Sequence, residues 1–258
     1  MDPGPKTRQG WVDWLLSEKD ESGRSLLLPV LPTLAAACGR CYGSGIVFGR
    51  SHLCDWCEIL ADDPLDGFVS ISYSLHGGLE SLLATTKKHY YGVKVWQRSA
   101  IAALVYTWLE RHFSCIHEQL GGYPKIVRVP SATDSPDHLS YIWERFEALS
   151  DTYPIDFGVI YRVIGSGKPA RRTVAPEHYR IPLSVQGRDF LLVDDIYTSG
   201  AQMRSVAAKL KEAGARKVIG LAIGRTLNES SYGNNQLVVN QSATRKWDVN
   251  VCRYCETK

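Results

Sequence analysis

Apolar residues in this chain repeat with two different periods, and the switches between them mark its elements. Phe190-Leu-Leu-Val193 is an unbroken apolar run, and residues 218–223 form another. Short uninterrupted runs of this kind predict strands buried on both faces, as in a parallel sheet. Between them Met203, Val206, Ala207 and Leu210 keep helical spacing from Ala201, and Gly214 suits the position just past a helix end. Strand, helix, strand is a βαβ unit, so the fold class is α/β with a parallel sheet and ligands bound at the carboxyl ends of its strands. Upstream, Ile126-Val-Arg-Val129 predicts a short strand that runs into Pro130. Ile101, Leu104, Val105, Trp108 and Leu109 give residues 95–112 one apolar face, and Leu139, Ile142, Trp143, Phe146 and Leu149 do the same for a later helix. Residues 156–163 predict a further strand and residues 11–16 a short helix. Beyond Thr226 no segment shows a strong period of either kind.

The first of these strands ends in chemistry. Asp194 and Asp195 close the apolar run, Ile196 and Tyr197 follow, and Thr198-Ser199-Gly200 leads into the helix at Ala201. The first turn of a helix has backbone N–H groups without internal partners and the positive end of the macrodipole, which together attract anions. Gly200 lets backbone approach such an anion closely, and the Thr198 and Ser199 hydroxyls add donors. Two carboxylates cannot bind phosphate, but they accept hydrogen bonds from vicinal sugar hydroxyls. A 5-phosphorylated ribose satisfies both halves. The loop is neither the GxxxxGK nor the GxGxxG fingerprint. The competing reading is an acidic turn ahead of an ordinary surface helix, but packing alone does not call for two Asp followed by Thr-Ser-Gly at a helix start.

Cysteines carry the second signal. Cys38-Gly-Arg-Cys41 and Cys54-Asp-Trp-Cys57 are CxxC pairs twelve residues apart, a spacing suited to a zinc ribbon or treble clef in which four thiolates close a structural site. With four sulfurs supplied, His52 is not needed as a ligand. Disulfides compete with this reading, but the chain lacks a secretory pattern: the stretch 25–38 is interrupted by Pro29 and Pro32 and is too short to span a bilayer. Ala35-Ala-Ala-Cys38 is only faintly like a lipoprotein cleavage site. The expected compartment is the cytoplasm, where paired thiols mean metal, and no membrane partner is expected. A third pair, Cys252 and Cys255, lies near the C-terminus. It is open to a second metal, a redox couple or idle thiols, and one reading folds it back onto the first cysteine module. Cys115 is expected to be a small buried hydrophobe.

The segment from Phe190 to Met203 resembles the phosphoribosyl-pyrophosphate (PRPP) motif of type I phosphoribosyltransferases. A cysteine module ahead of such a motif is similar to the arrangement in the ComF/GntX group, phosphoribosyltransferase-like proteins associated with DNA uptake in naturally competent bacteria. The resemblance covers residues 38–226. It implies a type I phosphoribosyltransferase-like parallel sheet flanked by helices, with a small N-terminal zinc-ribbon or treble-clef-like module. It also implies three segments: residues 1–66 with the zinc module, 67–226 as the transferase-like domain, and 227–258 as an extension. By the same resemblance Asp194, Asp195, Ile196, Tyr197, Thr198, Ser199, Gly200 and Ala201 bind PRPP, and Pro130, Ser131, Ala132 and Thr133 cradle pyrophosphate, although a plain Pro-started turn fits the latter residues too. Lys87-Lys-His-Tyr-Tyr-Gly92 falls where the family has its lysine-bearing segment, and Lys168-Pro-Ala-Arg-Arg172 partly resembles its basic segment. The implied catalytic set is therefore Asp194, Asp195, Lys88 and Arg172. Gln202 replaces a second hydroxyl residue of the family's loop. Residues 133–138 lack the family's RGFNQ-like stretch, which leaves the acceptor unassigned.

The chemistry that follows is displacement of pyrophosphate from C1 of PRPP by a nitrogen acceptor. Mg²⁺ would neutralise the leaving group and Zn²⁺ would be structural, its loss leaving the loop's chemistry intact. The alternative is a non-catalytic PRPP- or ribose-phosphate-binding protein acting in DNA uptake or regulation. Length and charge fit either reading. At 258 residues the chain can bury one substantial core plus a small module. A net charge of +3 suits an anionic small molecule and does not itself call for nucleic acid. Nucleic acid or competence proteins as partners rest on the resemblance alone, and a homodimer is compatible with it.

Overall fold

The computed structural model describes residues 5, 7–30, 37–43, 52–60, 62–86, 95–131, 142, 160–163, 165–166, 168–228 and 235–255. Lys88, Ala132, Thr133 and, apart from Ile142, the helix expected over 139–149 lie outside them, as do residues 156–159 of the expected strand. At the centre is a four-stranded sheet in which β1 (Gly67–Ser74), β2 (Lys125–Arg128), β5 (Asp189–Tyr197) and β6 (Lys217–Thr226) stand in the order β1-β6-β5-β2. All three pairings are parallel, and Val193 of β5 faces Leu221 of β6 on one side and Arg128 of β2 on the other. A separate two-stranded ribbon pairs β3 (Tyr161–Arg162) antiparallel with β4 (Tyr179–Arg180).

Side chains alternate across a strand, so the apolar runs of β5 and β6 supply two cores. Leu191, Val193, Ile219, Leu221 and Ile223 face α1 (Arg8–Ser17), α3 (Leu79–Thr86) and α4 (Val95–Leu120). Phe190, Leu192, Val218 and Ala222 face α5 (Ala201–Glu212) and the first cysteine module, whose short helix is α2 (Asp55–Ile59). The residues from Phe190 to Val193 are fully buried, and each such side chain contributes about 1.5–3 kcal/mol. The result is a parallel sheet flanked by helices on both faces. No helix among the described residues is long and apolar enough to cross a membrane.

Strands β1 and β4 and helices α2 and α3 have no counterpart in the sequence reading, and three further elements depart from it. Helix α4 continues beyond His112 because Phe113, Ile116 and Leu120 extend its buried stripe. It stops at Gly121, whose φ of 75° ends the helix while its N–H bonds to His117 O. A helix unexpected from the sequence, α6 (Asn235–Ala243), follows β6. Its inward positions include Asn235 and Ser242, polar residues that mask the apolar period. Their burial is compensated by hydrogen bonds to Asn228 O and Pro29 O. The C-terminal tail then runs along β1, the end strand of the sheet, where Trp247 Nε1 donates to Ile71 O at 2.8 Å. Its cysteines meet α4 rather than the first cysteine module: Cys255 Sγ lies 3.3 Å from Cys115 Sγ. Cys115 is buried in the hydrophobic core, as expected, and also meets this sulfur. Toward the first module the tail places Arg253 over the Tyr42 ring at 5.3 Å. Val12, Leu15 and Leu27 from the N-terminal segment and Trp247 from the tail join the same core as the sheet residues.

Candidate anion site and metal centre

Strand β5 carries Asp194 and Asp195 to the carboxyl end of the sheet, where both are buried, 8% and 4% exposed. Each carboxylate accepts from the backbone of the next residue, Asp194 Oδ1 from Asp195 N at 3.0 Å and Asp195 Oδ1 from Ile196 N at 2.8 Å. These short loops fix the side chains before any ligand arrives. Because strand neighbours point to opposite faces, the two differ: Asp194 lines a cavity of about 240 Å³, and Asp195 is not among its lining residues. Ile196 to Met203, with Lys168 and Arg171, complete its wall.

The turn into α5 depends on Gly200, which has φ 75° and ψ 0°. A side chain there would place Cβ 2.0 Å from Tyr197 Oη and 2.7 Å from Arg204 Nη1, so only glycine allows this turn over the tyrosine ring. Gly200 at the N-cap has no side chain to cap the helix, Ser199 Oγ accepts only a long bond from Ala201 N at 3.3 Å, and no acid stands in the first turn, while Lys209 and Lys211 occupy the last. Its N-terminus is accordingly electropositive and open toward the cavity. Burial pushes the Tyr197 phenol well above its ordinary pKa, although Arg204 and Arg225 pull it down. It packs as a neutral ring beneath the loop.

The turn after β2 sits beside this loop. Val129 N bonds to Val193 O at 2.9 Å, one residue beyond the paired strands, and Gln202 Nε2 donates to Pro130 O at 2.6 Å. Gln202 therefore clasps the two candidate loops together. Ser131 O accepts from Arg162 Nη1 at 3.2 Å. Of the basic candidates, Lys168 and Arg171 line the cavity, whereas Arg172, with φ 64°, is turned to Asp55 at 3.0 Å. A larger hollow of about 790 Å³ lies at the amino end of β1, around Asp66, Gly67 and Phe68. Ligands of open parallel sheets sit outside the carboxyl ends of the strands, so the smaller cavity is the candidate site.

Cys38, Cys41, Cys54 and Cys57 are buried, with sulfurs all within 4.8 Å of one another. A tetrahedron with Zn–S bonds of about 2.3 Å has edges of about 3.8 Å, and the Cys41–Cys54 sulfur separation is 3.8 Å. A disulfide would need about 2.05 Å. The donor set and its spacing fit a zinc-like ion. His52 is exposed, and its carbonyl accepts from Gly39 N at 2.8 Å. The neighbouring sulfurs of Cys38, Cys54 and Cys57 hold the Cys41 thiol well below its ordinary pKa, and Arg225 adds to this.

Two buried arginines join this centre to the anion loop, and neither was assigned such a role from the sequence. Arg225 donates Nε to Cys41 O at 2.8 Å and Nη1 to Thr198 O at 2.8 Å and Tyr197 O at 3.0 Å. Burial alone would depress its pKa, but the adjacent Cys41 sulfur and Tyr197 outweigh that and hold it above the ordinary value. Arg204 donates twice to Asp63 Oδ2, from Nη2 at 2.9 Å and Nε at 3.1 Å, and contacts Cys57 Sγ at 3.4 Å and Ser199 O at 3.4 Å. Trp56, between two of the cysteines, donates Nε1 to Ser199 O at 3.1 Å. The loop's carbonyls thus rest on the metal module. One signal was legible: Arg204 stands between Met203 and Val206, an ionised residue inside an apolar helical stripe.

No protein-family model matches this chain, and no curated protein does. Among solved structures, phosphoribosylpyrophosphate synthetase from Mycobacterium smegmatis is 14% identical with a TM-score of 0.34, over 63% of this chain and 55% of that one. The chain therefore spans little more than half of that protein's length. A hypoxanthine phosphoribosyltransferase from Staphylococcus aureus is 14% identical with a TM-score of 0.31, over 51% of this chain and 75% of that one. The hypoxanthine-guanine phosphoribosyl transferase of L. donovani is 17% identical with a TM-score of 0.29, over 56% and 71%. These are partial likenesses in chain course; what the loop can bind follows from its own atoms.

Proposed function

We propose that the chain binds PRPP with Mg²⁺ at the β5–α5 loop and transfers its phosphoribosyl group to a nitrogen acceptor. The observation that carries this reading is the conjunction, in one cavity, of a helix N-terminus behind a left-handed glycine and a buried carboxylate. The N–H groups at the start of α5, with the Thr198 and Ser199 hydroxyls, receive the 5-phosphate. Asp194 accepts from the ribose hydroxyls, and Asp195 supports it from the other face of the strand. Pyrophosphate is met by the turn from Pro130, with Ser131, Ala132 and Thr133, and by Lys168 and Arg171. Lys88 and Arg172 join this set by family resemblance. Arg172 reaches pyrophosphate only after leaving Asp55.

In the reaction the acceptor nitrogen's lone pair forms the bond to C1. The C1–O bond breaks with its electron pair on the departing pyrophosphate, and the acceptor nitrogen gives up its proton to water. Mg²⁺ would neutralise charge on the leaving group, and the protein supplies position and electrostatics. The four-sulfur centre is closed and structural in this account. Pyrophosphate release measured across a panel of nucleobases and other nitrogen acceptors tests the transferase reading. Acceptor-dependent release that Asp194→Asn abolishes is expected. Binding of PRPP without release for any acceptor would replace it with the reading of a non-catalytic PRPP-binding protein.

A further inference from the structure

Away from the loop, the chain holds a second group of ligand-type side chains. His112 and Cys115 stand three residues apart on α4, which puts them on one face of the helix. Cys252 and Cys255 come from the tail, in a turn closed by Cys255 N to Cys252 O at 3.1 Å. The four ligand atoms lie within 4.8 Å of one another. We propose that they form a second tetrahedral Zn²⁺ site, of Cys₃His type, that staples the C-terminal tail to α4.

The imidazole argues for metal most directly. His112 Nε2 lies 2.7 Å from Val249 O, and a carbonyl only accepts, so Nε2 carries the proton. Nδ1 then presents its lone pair to the sulfurs, 3.2 Å from Cys255 Sγ. A carbonyl fixing the far ring nitrogen is how metal-bound histidines are oriented. Trp108, with its ring centroid 4.7 Å from that of His112, packs against the ring. His112, Cys115 and Cys252 are buried and Cys255 half-buried, so the site is closed with four protein ligands, the structural pattern for zinc. Three sulfurs and one imidazole select zinc over the hard cations magnesium and calcium.

A disulfide explains less. Cys255 Sγ is equally far, 3.3 Å, from Cys115 and from Cys252, against about 2.05 Å for a bond. Joining either pair would leave one thiol and the imidazole lone pair without use. Those distances lie a few tenths of an ångström inside the edges, about 3.8 Å for S–S and 3.6 Å for S–N, of a zinc tetrahedron. All seven cysteines of the chain are then metal ligands, four in the first centre and three in the second. The second centre holds the tail along β1, where Trp247 and Arg253 donate to Ile71 O and Phe68 O.

Zinc analysis of the full chain, purified under reducing conditions, tests this. Two equivalents are expected in the parent and one in Cys252→Ser/Cys255→Ser, with the first centre still filled. A single equivalent in the parent, or the same count in parent and variant, would overturn the proposal. Should the variant fail to fold, X-ray absorption on the parent decides. Seven sulfurs and one nitrogen shared over two zinc ions are expected, whereas an all-sulfur shell excludes His112 and contradicts the site.

Discussion

Arg204→Met probes the junction between metal module and anion loop. The Arg204 side chain is 1% exposed and that of Asp63 is 7% exposed, and the guanidinium also touches Ser199 O and Cys57 Sγ. Methionine matches much of its stem but takes from the buried Asp63 carboxylate its nearer cation, leaving only the more distant Arg40 Nη1 at 3.8 Å. Removing one partner of a buried pair costs about 3–5 kcal/mol, which in a chain of this size lowers Tm by about 6–20 °C. The loop should suffer as well, because Ser199 O loses one of its two donors. Thermal unfolding of the parent, Arg204→Met, Asp63→Leu and the double variant forms the assay. The double variant should cost less than the two single changes together, with a coupling of about 0.5–3 kcal/mol. Additive losses, or an Arg204→Met protein as stable as the parent, would refute the claim that this pair holds the loop on the module.

Three further outcomes follow from the same contacts. Gly43→Ala places Cβ 2.0 Å from Arg225 Nη2 and 3.3 Å from Cys41 Sγ, so zinc should pass to a competing chelator more readily than in the parent, with about 1–3 kcal/mol of overpacking strain. Gln202→Ala removes the clasp on Pro130 O and should weaken PRPP binding by about 2- to 12-fold, from a hydrogen bond of about 0.5–1.5 kcal/mol. Ribose 5-phosphate, titrated in parallel, should be nearly unaffected. Stripping metal from the first centre should lower affinity for inorganic phosphate, read by calorimetry, since Trp56 of that module supports Ser199 O and Arg225, tied to the module through Cys41 O, supports Thr198 O. Equal affinity before and after would separate the two sites.

How much of this was legible in the sequence depends on the range of the interaction. The βαβ unit and the first four cysteines are local patterns: apolar periods and CxxC spacing report their own structure. Asp194 and Gly200 were visible for the same reason, because strand end and helix start adjoin in the chain. Helix α6 escaped because Asn235 and Ser242 take inward positions that only distant carbonyls make tolerable. The second cysteine group escaped because His112 and Cys115 join Cys252 and Cys255 across the whole domain, and no spacing rule links them. Arg225 carries no local signal of its role, because its contacts with Cys41 O and Thr198 O exist only after the sheet has brought three segments together.

Calorimetric titration of the full chain with PRPP and Mg²⁺, alongside Asp194→Asn, tests the central claim most directly. One saturable site is expected in the parent. The loss of a charge-assisted hydrogen bond, about 1.5–3 kcal/mol, should weaken it by about 10- to 150-fold in the variant, with the variant's melting temperature monitored to show that it remains folded. No binding by the parent, or equal binding by a folded Asp194→Asn protein, would contradict the assignment of this loop as a ribose-phosphate site.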